Sequence, residues 1–474
     1  MKKDNNKGQI LIQVLVFGSI GIFFISSLAS WGVLNLRASK QALNREKSIQ
    51  IAEAGTDYYR WHLAHAPEDY MDGQAVPGPY THNFQDKNGV NIGQFILDIT
   101  PPIVGSTVVT VKSTGKINAD TNVERSITTQ LAKASWAKYA VVANVAMRFG
   151  EGTEIFGPVH SNNGIRFDGL AHNVISSSVE KYYDPDHYGS QEFGVHTHLY
   201  PQDPYPPELV PTRTDVFEAG RQFPVPAVDF DGITMDLADM QIDALANGFH
   251  RLSSGALGYH VVLKTNDTFD LYKVNGLLTP PSGCQNTQDG DDWGTWSVDA
   301  NNQESLGNFD FPENGIMFFE DNIFVDGQID TARLTIVAAS LPDDSHNRKS
   351  ITINNNLLYT SYSGTDVIGL IAQKNINIGL MSENNLRIDA ALVAQNGRVG
   401  RYYYSSDCFP YHIRQSLTLW GMIATNQRYG FSYTDDTGYQ IRNLNYDGDL
   451  LYNPPSSFPL TSWQYLTLSW EETE

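Results

Sequence analysis

The residues of this chain most suited to metal chemistry are the two histidines of the tripeptide His196-Thr197-His198. Alternate side chains of an extended strand point to the same face, so both imidazoles would lie side by side. Two histidines and a carboxylate can hold zinc, but the sequence offers no third ligand at a recognisable spacing. His196 and His198 are therefore the candidate metal ligands, while ordinary surface histidines are the favoured interpretation. No cofactor is predicted.

Acidic residues also occur in turns and as sequence neighbours. The turns Asp289–Asp292 and Asp447–Asp449 offer oxygen ligands of the kind that calcium prefers, but neither completes a twelve-residue loop with its terminal glutamate. Asp343 and Asp344 could be the carboxylate pair of a glycoside hydrolase, but adjacent strand residues point to opposite faces. The sequence lacks a nucleophile elbow, a phosphate-binding loop and the HExxH pattern. We therefore expect solvated acidic turns and no enzymatic activity.

The composition and charge of the whole chain limit the number of its units and the kinds of partner it can bind. Its 474 residues are enough for two or three units, only 18% of them are charged, and the formal net charge is −21. Such a chain lacks the basic face that displaces counterions from nucleic acid, so no nucleic-acid partner is expected. Cys284 and Cys408 could form a disulfide outside the cytoplasm, although nothing in their spacing demands one.

An apolar segment dominates the N-terminal region. No formally charged residue occurs from Gln9 to Leu36, and this run is long enough to cross a bilayer as a helix. Three lysines precede it, which favours a cytoplasmic N-terminus. Residues 37–63 continue without proline, so one long helix fits better than a cleaved signal peptide with its shorter apolar core. The sequence predicts a single-pass protein of the cytoplasmic membrane with an extracytoplasmic C-terminal region.

The segment from Lys7 to Val14, KGQILIQV, resembles the class III-type signal of type IV pilins and pseudopilins. In that family a prepilin peptidase cuts after the glycine, so the resemblance implies cleavage between Gly8 and Gln9 and methylation of the new terminus. The later sequence AEAG, residues 52–55, is similar to that of PilX-type minor pilins. The resemblance covers residues 1–65. It implies as partners the prepilin peptidase, other pilins with the pilus assembly machinery, and the inner membrane of a bacterium.

Two residues depart from the pattern of that family. The first mature residue is usually phenylalanine and here is Gln9, and the fifth is usually glutamate and here is Gln13. In the family, this glutamate is thought to register a subunit against the terminal amine of its neighbour, a charge pair worth more in lipid than in water. Gln13 can still form a hydrogen bond at this filament-register position, but it cannot form the ion pair. The resemblance therefore implies a minor, tip or non-filament role.

Strand-like patterns follow the helix. Three strand-sized segments at 93–99, 107–112 and 126–131 predict a small pilin-like α+β head. The remainder is predicted to be a mainly β ectodomain, a parallel β-helix or irregular β-solenoid, with a β-sandwich as the alternative. The predicted domains are a leader (1–8), a transmembrane helix (9–36), the helix continuation with the head (37–135), and the ectodomain (136–474) with a proline-rich loop (200–211) and an insertion (280–311).

A short pattern of two apolar residues and an alanine recurs in the second half of the chain. Its copies are Ile336-Val337-Ala338, Leu370-Ile371-Ala372, Leu392-Val393-Ala394 and Met422-Ile423-Ala424. Asparagines follow three of them, at positions 375, 396 and 426. Such a repeat predicts stacked coils in which the small residue turns inward at a corner and asparagine caps the bend.

Aromatic residues cluster between Tyr402 and Tyr439. Exposed, they would form an adhesive or carbohydrate-stacking surface. Buried, they would cap the open end of the solenoid, which is the favoured interpretation. We therefore predict a minor pilin-like or pseudopilin-like cell-surface protein for pilus assembly, adhesion or envelope display, with surface carbohydrate as a further candidate partner. The alternative is a membrane-tethered polysaccharide-binding or polysaccharide-degrading β-helix protein, which a groove lined by aspartate, arginine and aromatic side chains would favour.

Overall fold

A computed structural model describes residues 7–230, 232–284, 295–461 and 464–473 of the chain. The acidic turn Asp289–Asp292 lies outside the described residues. The chain divides into two compact units. The first, here called the head, contains the described residues of Met1–Pro101, Val109–Ala132 and Gln464–Glu474. The second, here called the ectodomain, contains those of Pro102–Val108 and Lys133–Trp463.

The described residues form two α-helices, several short 3₁₀ turns and many strands. The helices are α1 (Lys7–His65) and α2 (Gly232–Asn247), and the 3₁₀ turns are Trp136–Lys138, Ser406–Cys408 and Gly448–Leu451. The strands are β1 (Tyr80–Gln85), β2 (Asn91–Thr100), β3 (Val109–Ile117), β4 (Asp120–Ala132), β5 (Val141–Ala143), β6 (Met147–Phe149), β7 (Glu154–Ile155), β8 (Val159–Ser161), β9 (Ile165–Phe167), β10 (Leu170–Ala171), β11 (Ile175–Ser177), β12 (Lys181–Tyr182), β13 (Glu192–Phe193), β14 (Val195–His196), β15 (Arg221–Gln222), β16 (Phe249–Arg251), β17 (Tyr259–Leu263), β18 (Thr268–Val274), β19 (Gln303–Asp310), β20 (Ile316–Phe319), β21 (Ile323–Ile329), β22 (Arg333–Ala338), β23 (Ile351–Thr352), β24 (Leu357–Tyr359), β25 (Val367–Ala372), β26 (Ile376–Ile378), β27 (Asn385–Ala394), β28 (Val399–Arg401), β29 (Ile413–Thr425), β30 (Gly438–Tyr446) and β31 (Leu466–Thr473).

Helix α1 combines an apolar half with a half that packs on protein. It is uninterrupted over its 59 residues because good helix formers dominate and the first proline comes at Pro67. Among the described residues, it is the helix long and apolar enough to cross a membrane. Phe17 and Phe23 are each 71% exposed, so this half has no protein partner within the chain as described. The predicted long helix is confirmed.

The second half of α1 packs on the antiparallel sheet of the head. Its buried residues recur at intervals of three and four: Ser48, Ile51, Ala52, Gly55, Thr56, Tyr59 and Leu63. A side chain added at Gly115 of β3 would come within 2.0 Å of the Ser48 carbonyl oxygen and 2.6 Å of the Ala52 backbone nitrogen. The small residues of the AEAG sequence therefore have a packing role, because they let the helix backbone approach the sheet.

The head sheet has the strand order β1-β2-β3-β4-β31. Strand β31 pairs antiparallel with β4, and Leu466 lies opposite Ala132. The C-terminal residues therefore belong to the head, and the ectodomain is inserted between β4 and β31. The predicted ectodomain boundary of 136–474 is wrong at its C-terminal end. Strand β4 exposes an unpaired edge until β31 covers it, and sequence alone does not identify the partner of such an edge.

The ectodomain is a β-helix built from parallel strand pairs. One column of hydrogen-bonded strands has the order β16-β20-β22-β25-β27-β29-β5-β8-β11-β15, and every neighbouring pair in it is parallel. A β-sandwich would require antiparallel pairs, so the predicted parallel β-helix is confirmed over its alternative. The predicted insertion 280–311 is partly regular, because β19 pairs antiparallel with β18. The described residues 200–211 form a loop without helix or strand.

The order of strands in this column does not follow the order of the chain. The chain enters at β5, in the middle of the column, and stacks coils outward to β15. Helix α2 then precedes β16 at the opposite end, and the following coils stack back until β29 pairs with β5. The pair Ile423–Val141 thus closes two runs of coils into one continuous β-helix.

The recurring alanine pattern marks the stacking of the coils, with one exception. Ala338, Ala372 and Ala394 lie opposite one another in register, as the repeat predicts. The fourth copy is displaced by one residue, because Ala394 lies opposite Thr425 and not opposite Ala424. Since alternate residues of a strand point to opposite faces, this register directs Ile423 into the coil interior and Met422 to the outer side.

Candidate functional site

Two residues of the prepilin-type signal singled out by the sequence, Gln9 and Gln13, lie on α1. Gln9 and Gln13 are four residues apart, about one helical turn, and both are exposed. Gly8 lies in the first turn of the same helix. The side-chain amide of Gln13 is therefore exposed.

Cys284 and Cys408 form a disulfide, with their Cα atoms 4.4 Å apart and a sequence separation of 124. The Cys408 side chain is fully buried in a small cluster with Leu380, Tyr402 and Tyr404. The bond therefore joins the segment after β18 to the loop after β28.

The side chain of Arg401 fixes the backbone around this disulfide. It is fully buried, and burial lowers its pKa. Its guanidinium donates to four oxygen atoms: the Ser382 hydroxyl (2.9 Å) and the carbonyls of Gly379, Leu380 (2.9 Å) and Tyr411 (2.8 Å). The ring of Tyr404 lies 4.8 Å from the guanidinium carbon. Arg401 thus satisfies several buried carbonyls at once.

Contrary to the prediction from the sequence, the aromatic cluster does not cap an open end of the β-helix. Tyr404, Phe431 and Tyr439 are buried, but Tyr439 lies on β30, which pairs with β29 in the middle of the β-helix. In contrast, Phe409 is 72% exposed. The Tyr403 hydroxyl donates to Asp435 at 2.8 Å.

The acidic turn Asp447–Asp449 is not a solvated turn. Asp447 is buried, and its carboxylate accepts from the Asp449 backbone N–H at 3.1 Å at the start of a 3₁₀ turn. Burial and the neighbouring carboxylates of Asp449 and Asp389 raise the pKa of Asp447 to about 6. The hydrogen bond from the Asp449 backbone N–H opposes this rise. The expectation of a solvated turn is wrong here, because the carboxylate serves as a helical cap.

The aspartates at 343 and 344 do not converge on one site. Asp343 forms an ion pair with Arg348 (2.7 Å) and accepts from Gln373 (2.7 Å). Asp344 accepts from the backbone N–H of His346 (3.1 Å) and the side chain of Asn347 (2.7 Å). Each carboxylate therefore organises its own turn.

A groove of about 570 Å³ opens on the ectodomain between β6, β30 and the segment 428–434. Its lining includes four arginines and four aromatic residues: Arg148, Arg398, Arg428, Arg442, Phe149, Tyr429, Phe431 and Tyr433. Asp186 is the acidic residue among its described lining residues, and it pairs with Arg148 at 3.9 Å and with Arg428. The groove is thus locally positive on an acidic protein, which suits an anionic ligand.

The two candidate metal-ligating histidines belong to a cluster of five titratable residues in the ectodomain. His196 ends β14, which pairs parallel with β9, and His198 follows two residues later. The antiparallel pair of β12 with β13 brings Asp184, His187 and Glu192 to the same place. Two overlapping groups have potential ligand atoms within 4.8 Å of one another: Asp184, His196 and His198, and His187, Glu192 and His198.

The geometry within this cluster leaves several buried atoms without a partner. The Nε2 atom of His196 lies 3.6 Å from Asp184 Oδ2, and neither of these atoms has a hydrogen bond. The Glu192 carboxylate lies 3.3 Å from His198 Nε2 and 3.2 Å from His187 Nδ1. The expectation of ordinary surface histidines is wrong for His196, which is 0% exposed because the β12–β13 pair covers it.

Two members of this cluster, Asp184 and His198, have shifted pKa values. Burial raises the pKa of Asp184, but the contacts with His196, the Asp186 backbone N–H and Arg166 outweigh it and lower the pKa to about 2. Burial and the charges of Arg166 and His196 lower the pKa of His198. Sequence reasoning missed Asp184, His187 and Glu192, although three histidines within 187–198 were the available signal.

Comparison with known proteins gives structural similarity without a sequence match. No protein-family model matches the chain, and no curated protein matches it. The assignment of the fold rests on helix α1 and on the strand pairings of the two units. Among solved structures, the chain is similar to the competence-associated pilin ComZ from Thermus thermophilus, with 12% sequence identity and a TM-score of 0.33 over 91% of this chain and 97% of that chain.

Proposed function

We propose that this protein is a minor pilin-like or pseudopilin-like protein of the bacterial cytoplasmic membrane, without enzymatic activity. Its helix anchors it, its ectodomain is extracytoplasmic, and it serves in pilus assembly, adhesion or display at the pilus or cell surface. The observation that carries the proposal is α1, one continuous helix with an exposed apolar half and a half packed on the head sheet. The prepilin-type signal before it supports the same assignment, as does the packing of the PilX-type AEAG sequence.

The exposed half of α1 requires a partner outside the chain. Apolar side chains such as Phe17 and Phe23 are stable in lipid before assembly, and among the helices of other pilins after it. Gln13 can donate or accept one hydrogen bond in that setting but contributes no ion pair. We therefore place the protein at a minor or terminal position of an assembly, after processing by a prepilin peptidase.

The expected mature protein begins at Gln9. Replacing Gly8 with valine should abolish processing, because the peptidase reads the residue before the cut. The measurement is the N-terminal mass of the protein purified from membranes of a host with a prepilin peptidase. Gly18→Val is the matched control, because nothing lies within 4 Å of a side chain added at Gly18. A mature chain that starts at Met1, or after Ala29, would contradict the proposal.

A second function, binding of an acidic polysaccharide, is favoured by the arginine-lined groove. The groove combines aspartate, arginine and aromatic side chains. Arginine pairs with carboxylate or sulfate groups, and tyrosine faces stack on sugar rings. Hydrolysis would require two carboxyl groups flanking the bond, whereas Asp186 is the single carboxylate among the described lining residues and is held by arginines. The groove therefore suits binding and not cleavage.

Charge reversal at Arg442 tests this second function. The residue lies half-buried in the groove, and its guanidinium donates to the carbonyls of Tyr439 and Gln440 on its own strand. Arg442→Glu therefore leaves the ion pairs of Asp186 intact. We expect binding of polygalacturonate to weaken about tenfold, which corresponds to the loss of one charged contact of about 1.4 kcal/mol. Lys374→Glu, an exposed reversal outside the groove, is the control. Equal binding by both variants in calorimetry, or equal binding of neutral dextran, would contradict a role for the groove.

A further inference from the structure

We propose that Asp184, His196 and His198 bind one transition-metal ion of the zinc class, and that this site stabilises the loop between β12 and β13. The proposal is independent of the pilin-like function and of the polysaccharide groove. It depends on three observations: buried atoms without partners, ligand spacing, and the balance of charge around the cluster.

Unpartnered polar atoms are the first observation. His196 is 0% exposed, and neither Nδ1 nor Nε2 of its ring has a hydrogen-bond partner. The Oδ2 atom of Asp184 is also buried without one, whereas its Oδ1 accepts from the Asp186 backbone N–H at 2.9 Å. Leaving such groups unpaired in the interior costs about 1–3 kcal/mol each, so native proteins rarely do so. A metal ion would satisfy the Asp184 oxygen and one His196 nitrogen together.

Ligand spacing is the second observation. His196 Nε2 and Asp184 Oδ2 are 3.6 Å apart, beyond hydrogen-bond distance. Two ligands at about 2.0–2.1 Å from a tetrahedral zinc ion lie about 3.4 Å from each other. A potential ligand atom of His198 lies within 4.8 Å of both residues. The three side chains therefore need only small movements to surround one ion, and a water molecule can take the fourth position.

The balance of charge is the third observation. Arg166 Nε donates to Asp168 at 2.6 Å, and its Nη1 remains 3.8 Å from Asp184 Oδ2, so its closest contact is with Asp168. Glu192 adds a second buried carboxylate whose Oε2 atom has no partner. A dication would neutralise Asp184 and Glu192 together, and paired imidazoles favour zinc over calcium or magnesium, which prefer oxygen ligands.

Zinc binding to the full-length chain in detergent tests the proposal. After dialysis against EDTA, isothermal titration with zinc chloride should give one site per chain. Saturating zinc should raise the melting temperature by about 5 °C, since an ion that binds only the native state stabilises it. Cobalt should give the visible absorption of a tetrahedral site in the wild-type protein, a measurement that requires no variant. No heat and no cobalt absorption would overturn the proposal.

Variants locate the ion within the cluster. His196→Gln removes a ligand with little change in volume and should lower the zinc affinity at least a hundredfold. His346→Ala is the matched control, because the His346 side chain is 92% exposed and outside the cluster. Circular dichroism establishes that each variant is folded. If His196→Gln does not fold, displacement of cobalt by zinc in the wild-type protein remains decisive. Unchanged zinc affinity in folded His196→Gln, or calcium binding with the same stoichiometry and affinity, would overturn the assignment.

Discussion

Replacing Gly115 with valine is expected to destabilise the head by about 3 kcal/mol, because the new side chain has no space to occupy. Its first carbon would lie 2.0 Å from the Ser48 carbonyl oxygen and 2.6 Å from the Ala52 backbone nitrogen. Both atoms belong to the backbone of α1, so no side chain can turn aside to relieve the contact. Helix and sheet would have to separate, and the core around Ile51 and Tyr59 would loosen.

Hydrogen exchange of the full-length protein in detergent measures this effect where it arises. Amides of β3 and β4 should exchange on the order of a hundredfold faster in Gly115→Val than in the wild type, if they exchange through opening of the head. Lys112→Val is the matched control, since Lys112 lies exposed on the same strand. Similar exchange in the two variants would show that the close approach of α1 to β3 does not limit the stability of the head.

Replacing Arg401 with alanine is expected to destabilise the ectodomain by about 3–5 kcal/mol, the cost of removing the donor of several buried carbonyls and of opening a cavity. The truncated side chain would remove the Arg401 donor from the carbonyls of Gly379, Leu380 and Tyr411, of which Leu380 still accepts from Arg414 at 3.1 Å. It would also open a cavity beside Tyr404. Arg401→Lys keeps the charge but offers one ammonium in place of a planar fork, so we expect an intermediate loss.

Urea unfolding followed by tryptophan fluorescence compares these variants, with the disulfide intact in all of them. Arg442→Ala is the control, because that arginine is half-buried and donates to carbonyls of its own strand. We expect it to change the unfolding free energy by less than about 1 kcal/mol. If Arg401→Lys proves as stable as the wild type, the forked geometry of the guanidinium is not what stabilises this region.

Features that depend on local sequence were predicted well. The long helix follows from uninterrupted helix formers and an uncharged apolar run, both of which act over neighbouring residues. The β-helix followed from the alanine repeat, because stacked coils repeat the same local environment. The predicted register of the fourth copy is wrong at Ala424. A displacement of one residue changes which side chains face inward without changing the apolar composition, so the sequence does not reveal it.

The partners of edge strands could not be predicted. Strand β31 pairs with β4, although the whole ectodomain lies between them in sequence. Strand β29 pairs with β5 where two runs of coils meet. Both pairings depend on backbone hydrogen bonds, which carry little sequence information. The apolar patterns of these strands are compatible with several partners, so only the folded chain selects one.

His196 and His198, the candidate metal ligands of the sequence, show the same division between local and tertiary information. The sequence by itself determined that His196 and His198 lie two residues apart, that one apolar helix precedes a β-rich chain, and that a prepilin-type signal stands before that helix. The tertiary structure decided that His196 is buried, that Asp184 and Glu192 face the histidines, and that four arginines meet in one groove. The physical reason is that a helix forms from contacts within a few residues, whereas ligand clusters and grooves form from side chains that only folding brings together.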